Sequence, residues 1–295
     1  MPCWRFFMTI SSPCKVNLLL NILGKRPDQF HELETLMQPV NICDQLSFER
    51  GGTQICLSCS NPALPVDSSN LVYRAAEAVL RRIGTAEGVR IHLEKNLPLA
   101  AGLGGGSANA GVTLRAVNDL FGAPLSAEQL VPLAAALGSD VPFFLQQGPA
   151  LGTGRGEVIA PLEPFAALRG VWIVLVHPGF GISTPWAYKQ LAQFPEALNG
   201  KPGRAQKLIN ALQSNDLSAA SSQFYNSLEA PALAKYPLLA LIQEFFRENG
   251  ALATLMSGSG SATFALASSQ KDSEGLTEKF KTRFGDKFWM ASAAL

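Results

Sequence analysis

Between Pro98 and Ala110 the chain reads PLAAGLGGGSANA, with four glycines in the five residues from Gly102 to Gly106. An apolar, alternating run from Val89 to Glu94 precedes this stretch, and a helical pattern from about Ser107 to Leu120, ended by Gly122, follows it. Strand, glycine-dense turn and helix in that order make an anion cradle. Glycine reaches positive φ without steric cost, so backbone N–H groups can converge, and the start of the helix adds unpaired donors and its positive dipole end. Phosphate is the natural guest. A flexible linker or a plain tight turn is the competing reading. It leaves unexplained the apolar strand directly before the glycines and the capping Ser107 with a helix-forming Ala108, Asn109 and Ala110 directly after. The loop is not a Walker A sequence, because the terminal Gly-Lys-Ser/Thr is missing. Nor is it a dinucleotide fingerprint, because the pattern arrives at Ser107 where Gly or Ala is required.

At 295 residues the chain exceeds the size at which one hydrophobic core stops growing, so two domains are expected. Hydrophobic residues at 47% and charged residues at 16% suit a globular chain and exclude a disordered one. With 24 basic and 23 acidic residues, a net charge of +1 and no dense Lys/Arg cluster, no nucleic-acid partner is expected. The apolar start, Met1 to Ile10, is too short for a secretory core or a membrane span, which predicts a cytoplasmic protein with no membrane partner. Five cysteines in a chain of this length predict reduced thiols. Cys56 and Cys59 form a lone C-x-x-C. Zinc would need a second pair or nearby histidines, and the histidines are only His31, His92 and His177, so a half-buried strand is the better reading and no metal site is expected there.

The first half reads as strand-rich, with strands at Val16 to Leu23, Gln45 to Glu49, Gln54 to Ser60 and Val89 to Glu94. Ser69 is placed to cap a helix running to about Arg82 and closed by Gly84. Ser126 and Gln129 have capping-box spacing for a further helix ended by Gly138. The Gly- and Pro-rich stretch from Gly152 to Pro164 predicts the boundary between a domain of residues 1–162 and one of residues 163–295. In the second domain a strand is expected from Val171 to His177 and helices at Pro185 to Gln193, Ala205 to Gln213 and Pro237 to Glu248. Strands follow at Ala251 to Met256 and Ala262 to Ala267, then a last helix and strand. The fold class expected is α+β, two domains in sequence.

Three motifs carry a family resemblance. Pro98 to Ala110 resembles the central motif of the GHMP kinases, a proline followed by small residues, Gly-Leu-Gly and a small-residue helix start. Ser12-Pro13-Cys14-Lys15-Val16-Asn17-Leu18 resembles the family's N-terminal motif, and Met256 to Phe264, reading MSGSGSATF, resembles its C-terminal one. Three motifs in the expected order cover nearly the whole chain. The resemblance implies the family's two-domain architecture, an N-terminal domain like ribosomal protein S5 and a C-terminal ferredoxin-like domain. It also implies ATP-dependent phosphorylation of a small molecule, with Mg²⁺ accompanying the nucleotide and a monomer or weak homodimer as the assembly. Two further segments, Gly24 to Leu33 and Leu137 to Phe144, resemble those of GHMP kinases that act on a cytidine diphospho-polyol in non-mevalonate isoprenoid synthesis.

The resemblance also distributes roles. ATP would lie on Pro98, Leu99, Ala100, Ala101, Gly102, Leu103, Gly104, Gly105, Gly106, Ser107 and Ala108, with Asn70 and Lys95 bordering the adenine. A helix start and a strand-end lysine explain those last two equally well. Asp140 would be the base for the accepting hydroxyl, and Lys15, near it, would hold it ionised and stabilise charge on the oxygens in flight. Taken alone, Asp140 could simply cap a helix restarting after Gly138, and Lys15 could be an edge residue of its strand. Phe30 would stack on the cytosine and His31 bond to its polar edge, with Asn17 placing the substrate and Thr184, just after the turn at His177, approaching its diphosphate or polyol. Phe30 stands where Tyr is usual and Gln29 where Gly is usual. Ser107 is a candidate hydroxyl for Mg²⁺. Another small-alcohol specificity within the family, or a non-catalytic nucleotide-binding relative, are the alternatives; intact Lys15, Asp140 and glycine loop argue against the second.

Overall fold

The computed structural model describes residues 7–295, and the opening residues 1–6 of the apolar start lie outside them. The chain divides into two compact units, each gathered from separate stretches: residues 7–14, Cys43–Leu97 and Gly104–Gln147 in the first, and Lys15–Ile42, Pro98–Leu103 and Gly148–Leu295 in the second. Two long strands, β1 (Phe7–Lys25) and β2 (His31–Arg50), contribute to both. They are far longer than the apolar runs Val16 to Leu23 and Gln45 to Glu49, because Pro13, Pro39 and scattered polar residues interrupt the alternation without ending the strands.

In the first unit, β4 (Val89–Glu94) pairs antiparallel with Gln45–Arg50 of β2 and parallel with β3 (Ile55–Cys59). Val89, Ile91 and Leu93 are buried while Arg90, His92 and Glu94 face solvent, the period-two pattern of a half-buried strand. Helices α1 (Leu71–Ile83), α2 (Gly105–Leu120) and α3 (Ala127–Leu137) close the core, which includes Phe48, Val79, Ile91 and Leu114. Two helix starts differ from the sequence expectation. The cap of α1 is Asn70, whose side chain accepts from the Val72 amide, while Ser69 turns to Asp67. The cap of α2 is Gly104, so Ser107 lies inside the first turn. At the other end of α1, Gly84 takes the left-handed conformation expected of it (φ 71°). Ser126 caps α3, its amide donating to Gln129 Oε1 at 2.9 Å.

In the second unit, β5 (Ala150–Thr153) pairs antiparallel with β2, β6 (Val158–Pro161) pairs with β5, and β8 (Tyr225–Asn226) lies parallel to β1. A separate antiparallel sheet has the order β11 (Trp289–Ala294), β7 (Trp172–His177), β10 (Thr263–Ala267), β9 (Ala253–Met256). The helices are α4 (Thr184–Gln190), α5 (Pro195–Leu198), α6 (Arg204–Gln213), α7 (Leu217–Ser221), α8 (Glu229–Lys235), α9 (Pro237–Glu248) and α10 (Gln270–Phe284). Taking β7, α9, β9, β10, α10 and β11 in chain order, the strands stand fourth, first, third, second, which is the ferredoxin-like split βαβ arrangement. Phe246 and Phe280 stack at 5.5 Å in its core beside Val174, Val176 and Ile242.

Candidate active site

Three distant segments meet inside the second unit. Lys15 and Asn17 are two apart on β1 and therefore share a face, and both are buried. A buried ammonium is costly unless its donors are occupied. Lys15 Nζ donates to Asn17 Oδ1 at 2.5 Å and to the Gly102 carbonyl at 3.1 Å, and the Lys15 amide donates to the Leu103 carbonyl at 3.0 Å. Asn17 Nδ2 in turn donates to Thr35 Oγ1 at 2.7 Å, which fixes the orientation of its amide. The third segment closes on the same glycine. Ser257 Oγ donates to the Gly102 carbonyl at 3.0 Å, and the Ala262 amide to the Ala101 carbonyl at 3.0 Å. Gly102 (φ 77°) is required twice over, since a Cβ there would also overlap the Ser257 carbonyl oxygen. A Cβ at Gly258 would come within 3.3 Å of both Lys15 Nζ and Asn17 Oδ1.

Sequence reasoning missed the supports of that third segment. Asn226 Nδ2 donates to the carbonyls of Met256 and Gly258, both at 2.8 Å. Glu229 Oε1 accepts from the Met256 amide at 2.8 Å and from Gln243 Nε2 at 2.5 Å, and burial pushes its carboxyl above the ordinary range. A single Asn or Glu in a polar stretch carries no signal; only the fold brings its partners to it.

Phe30 and His31 lie at and just after the turn between β1 and β2. Arg26 pairs with Asp28 and Glu32 across this turn, and Gln29 adopts φ 70° at the position where glycine is usual. Phe30 is 51% exposed, and the Arg155 guanidinium lies 4.5 Å from the centroid of its ring. His31 packs beside Tyr188 of α4 with ring centroids 5.1 Å apart. Partial burial, and then the nearby Lys25, lower the His31 pKa, so the ring is neutral at neutral pH with one donor and one acceptor nitrogen. Thr184 Oγ1 bonds to Ser259 Oγ at 2.8 Å, tying the start of α4 to the third segment. Tyr188 and Arg155 carry no local sequence signal.

The first unit holds the rest. In α2 the first helical bond runs from the Ala108 amide to the Gly104 carbonyl at 2.8 Å, so the amides of Gly105, Gly106 and Ser107 have no place in the helical ladder. The first turn has no acidic residue, and no side chain caps it. A Cβ at Gly106 would meet nothing closer than Leu71 Cδ1 at 3.8 Å, so packing does not demand glycine there. Asp140 is half-buried, between the end of α3 and a four-residue 3₁₀ turn, Pro142–Leu145, anchored by buried Phe143 and Phe144. That short turn stands where a restarted helix was expected. Asn70 uses both ends of its amide, Oδ1 accepting from Val72 N at 2.9 Å and Nδ2 donating to the Pro65 carbonyl at 2.7 Å. Lys95 is buried in an ion pair with Asp44 at 2.5 Å. Cys56 is exposed on β3 and Cys59, three residues on, is on the opposite face; both are free thiols. Among the described residues there is no group of three or more His, Cys, Asp or Glu side chains able to hold a metal, and no helix long and apolar enough to cross a membrane.

A glycine loop leading into a helix whose first turn no side chain caps, in an α+β chain with a buried lysine bonded to that loop, suits the binding of an anion such as phosphate. The family descriptions "GHMP kinases N terminal domain" and "GHMP kinases C terminal" match residues 70–148 and 194–286. The chain belongs to the GHMP kinases, ATP-dependent kinases of small molecules. It is 39% identical over 293 residues to the 4-diphosphocytidyl-2-C-methyl-D-erythritol kinase of Synechococcus sp. (strain JA-3-3Ab), covering 97% of this chain and 94% of that one. The enzyme of that name from Pelotomaculum thermopropionicum is 39% identical over 277 residues, covering 93% and 94%. A crystal structure of 4-(cytidine 5'-diphospho)-2C-methyl-D-erythritol kinase is similar with a TM-score of 0.80 at 35% identity, covering 97% and 98%. A crystal structure of L. major mevalonate kinase in complex with R-mevalonate shares the fold at a TM-score of 0.74 and 17% identity, covering 98% and 96%.

Proposed function

We propose that the protein transfers the γ-phosphoryl group of ATP to a hydroxyl of 4-diphosphocytidyl-2-C-methyl-D-erythritol, giving the 2-phosphate in non-mevalonate isoprenoid precursor synthesis. The acceptor follows from relatives 39% identical over nearly the whole chain that bear this name. The observation that carries the site is the meeting of three motifs at one carbonyl, where Lys15 and Ser257 both donate to Gly102.

In this reading the loop Pro98 to Ala108 takes the ATP phosphates, with Asn70 and Lys95 at the border of the adenine pocket. The accepting hydroxyl attacks the γ-phosphorus, the bond to the ADP oxygen breaks, and Asp140 takes the hydroxyl proton. Lys15, held by Asn17 and Gly102, offsets negative charge on the transferring group. On the acceptor side Phe30 offers a ring face to cytosine, neutral His31 bonds to its edge, and Asn17 and Thr184 contact the remainder. Mg²⁺ would be held chiefly by phosphate oxygens and water, with Ser107 Oγ as a protein ligand, and would screen phosphate charge. In this reading the join between the family's two domains falls at residues 162 and 163, a placement compatible with family matches at residues 70–148 and 194–286. The protein works in the cytoplasm as a monomer or weak homodimer, without nucleic acid.

A coupled ADP-release assay offering the cytidine diphospho-polyol, mevalonate, homoserine and galactose tests the specificity. The polyol should give the highest kcat/KM; equal or better turnover of another acceptor overturns it.

A further inference from the structure

Asp44 is an ionisable residue of β2 with no solvent exposure, and no motif includes it. All its bonds are to one small region of the first unit. Oδ1 accepts from the amides of Asn96 and Leu97, each at 2.8 Å. Oδ2 accepts from Lys95 Nζ at 2.5 Å and from Asn109 Nδ2 at 3.0 Å. These donors sit at the two ends of the glycine loop: Asn96 and Leu97 directly before Pro98, and Asn109 in the second turn of α2. Asn109 Oδ1 is buried without a partner, so its bond to Asp44 is the side-chain link joining it to the incoming strand. Lys95 completes the arrangement, since a Cβ on Gly105 would stand 3.3 Å from its Nζ, placing the balanced ammonium against the first residue of the helix.

We propose that Asp44 is a positioning residue for nucleotide binding: it ties the strand stem of the glycine loop to its helix stem and so fixes where the amides of Gly105, Gly106 and Ser107 point. The inference rests on reading that loop as the nucleotide site. A glycine-dense loop has unusual conformational freedom, and an anion bound by backbone amides gains most when their directions are set beforehand. A carboxylate is the short side chain that can accept four bonds, two from each oxygen, from amides and side chains at once. Burying the Asp44 and Lys95 charges carries a desolvation cost that an apolar pair would avoid, which fits a role other than stability.

The test titrates a non-hydrolysable ATP analogue calorimetrically into the full-length wild type and into Asn109→Ala, Asp44→Asn and Gly106→Ala, and measures melting temperature and acceptor KM at saturating ATP. Asn109→Ala leaves the ion pair in place while cutting the link to α2; it should bind the analogue about tenfold more weakly, with acceptor KM unchanged within twofold. Asp44→Asn should show the same split and a larger loss, and it carries the test if Asn109→Ala does not fold. Analogue affinity within twofold of wild type in a folded Asn109→Ala or Asp44→Asn overturns the proposal, as does loss of cooperative melting in both. Gly106→Ala separates the underlying reading. Unchanged affinity in that variant removes the loop as the nucleotide site, whereas weakened affinity there with wild-type affinity in the other two removes only the role of Asp44.

Discussion

The Lys15 ammonium donates to the carbonyl of Gly102 at 3.1 Å, joining the first sequence motif to the glycine that begins the glycine-dense part of the second. Replacing Lys15 with methionine keeps most of its volume while removing the charge. Turnover should fall by about 10² to 10³, the scale of losing one preorganised electrostatic donor. The melting temperature should move by less than about 5 °C, because loss of a buried charge offsets part of the cost of the acceptors left behind. Single-turnover kinetics with thermal melts checks both. Near-normal turnover removes Lys15 from the chemistry.

Gly102→Ala should damage the fold, since the residue holds φ 77° and its added methyl meets the Ser257 carbonyl. A loss of about 2–4 kcal/mol is expected from strain and overlap together. Gly106→Ala, whose added methyl would meet only Leu71 Cδ1 at an ordinary contact distance of 3.8 Å, should instead stabilise by about 0.5–1 kcal/mol through helix propensity. Denaturant unfolding of the two variants reads the opposite signs.

His31 titrates below its ordinary value near 6.5 because burial and Lys25 disfavour the imidazolium. Acceptor kcat/KM should therefore hold steady as pH falls to 6.5 and drop only below it. His31→Gln should lose that limb of the profile. In stability the same shift acts against the folded state at low pH: the unfolded chain takes up the proton first, so the penalty grows as pH falls below 6.5 and is absent above it.

Phe30→Ala should raise acceptor KM about tenfold with kcat little changed, since stacking on one base contributes about 1–3 kcal/mol. With the ring half exposed, stability should change by less than about 1 kcal/mol. Arg155→Ala, which removes the cation beside the ring, should give a smaller rise in the same direction. Initial-rate kinetics at saturating ATP separates KM from kcat; an unchanged KM in Phe30→Ala shows that the base binds elsewhere.

The local structure legible in the sequence was of the kind that local chemistry decides. Gly84 closes α1 because only a left-handed residue fits there, and Val89 to Glu94 alternates because one face of β4 is buried. Ser126 and Gln129 gave the start of α3 for the same reason. Local sequence is a poor guide where a distant partner or a neighbouring residue competes. Ser69 and Asn70 are both good caps, and Asp67 takes the serine. The Asn226 and Glu229 supports and the Asp44 bonds depend on partners far along the chain, so no window of sequence contains them. The glycine loop was legible as an anion cradle, yet its bond to Lys15 is a product of the fold.

Because each unit is stitched from interleaved stretches, the order of synthesis constrains how the protein acquires its shape. Leu19 leaves the ribosome early, but its strand partner Tyr225 emerges only after most of the chain. Lys15 and Asn17 likewise wait for the segment after Met256, and the sheet holding that segment is complete only when β11 is made. Such long-range pairing slows folding and leaves the exposed edges of β1 and β2 dependent on protection during translation. Premature termination after Gln147 would release an apolar nascent chain in which the second unit has lost most of its mass, a natural client for chaperones and proteases.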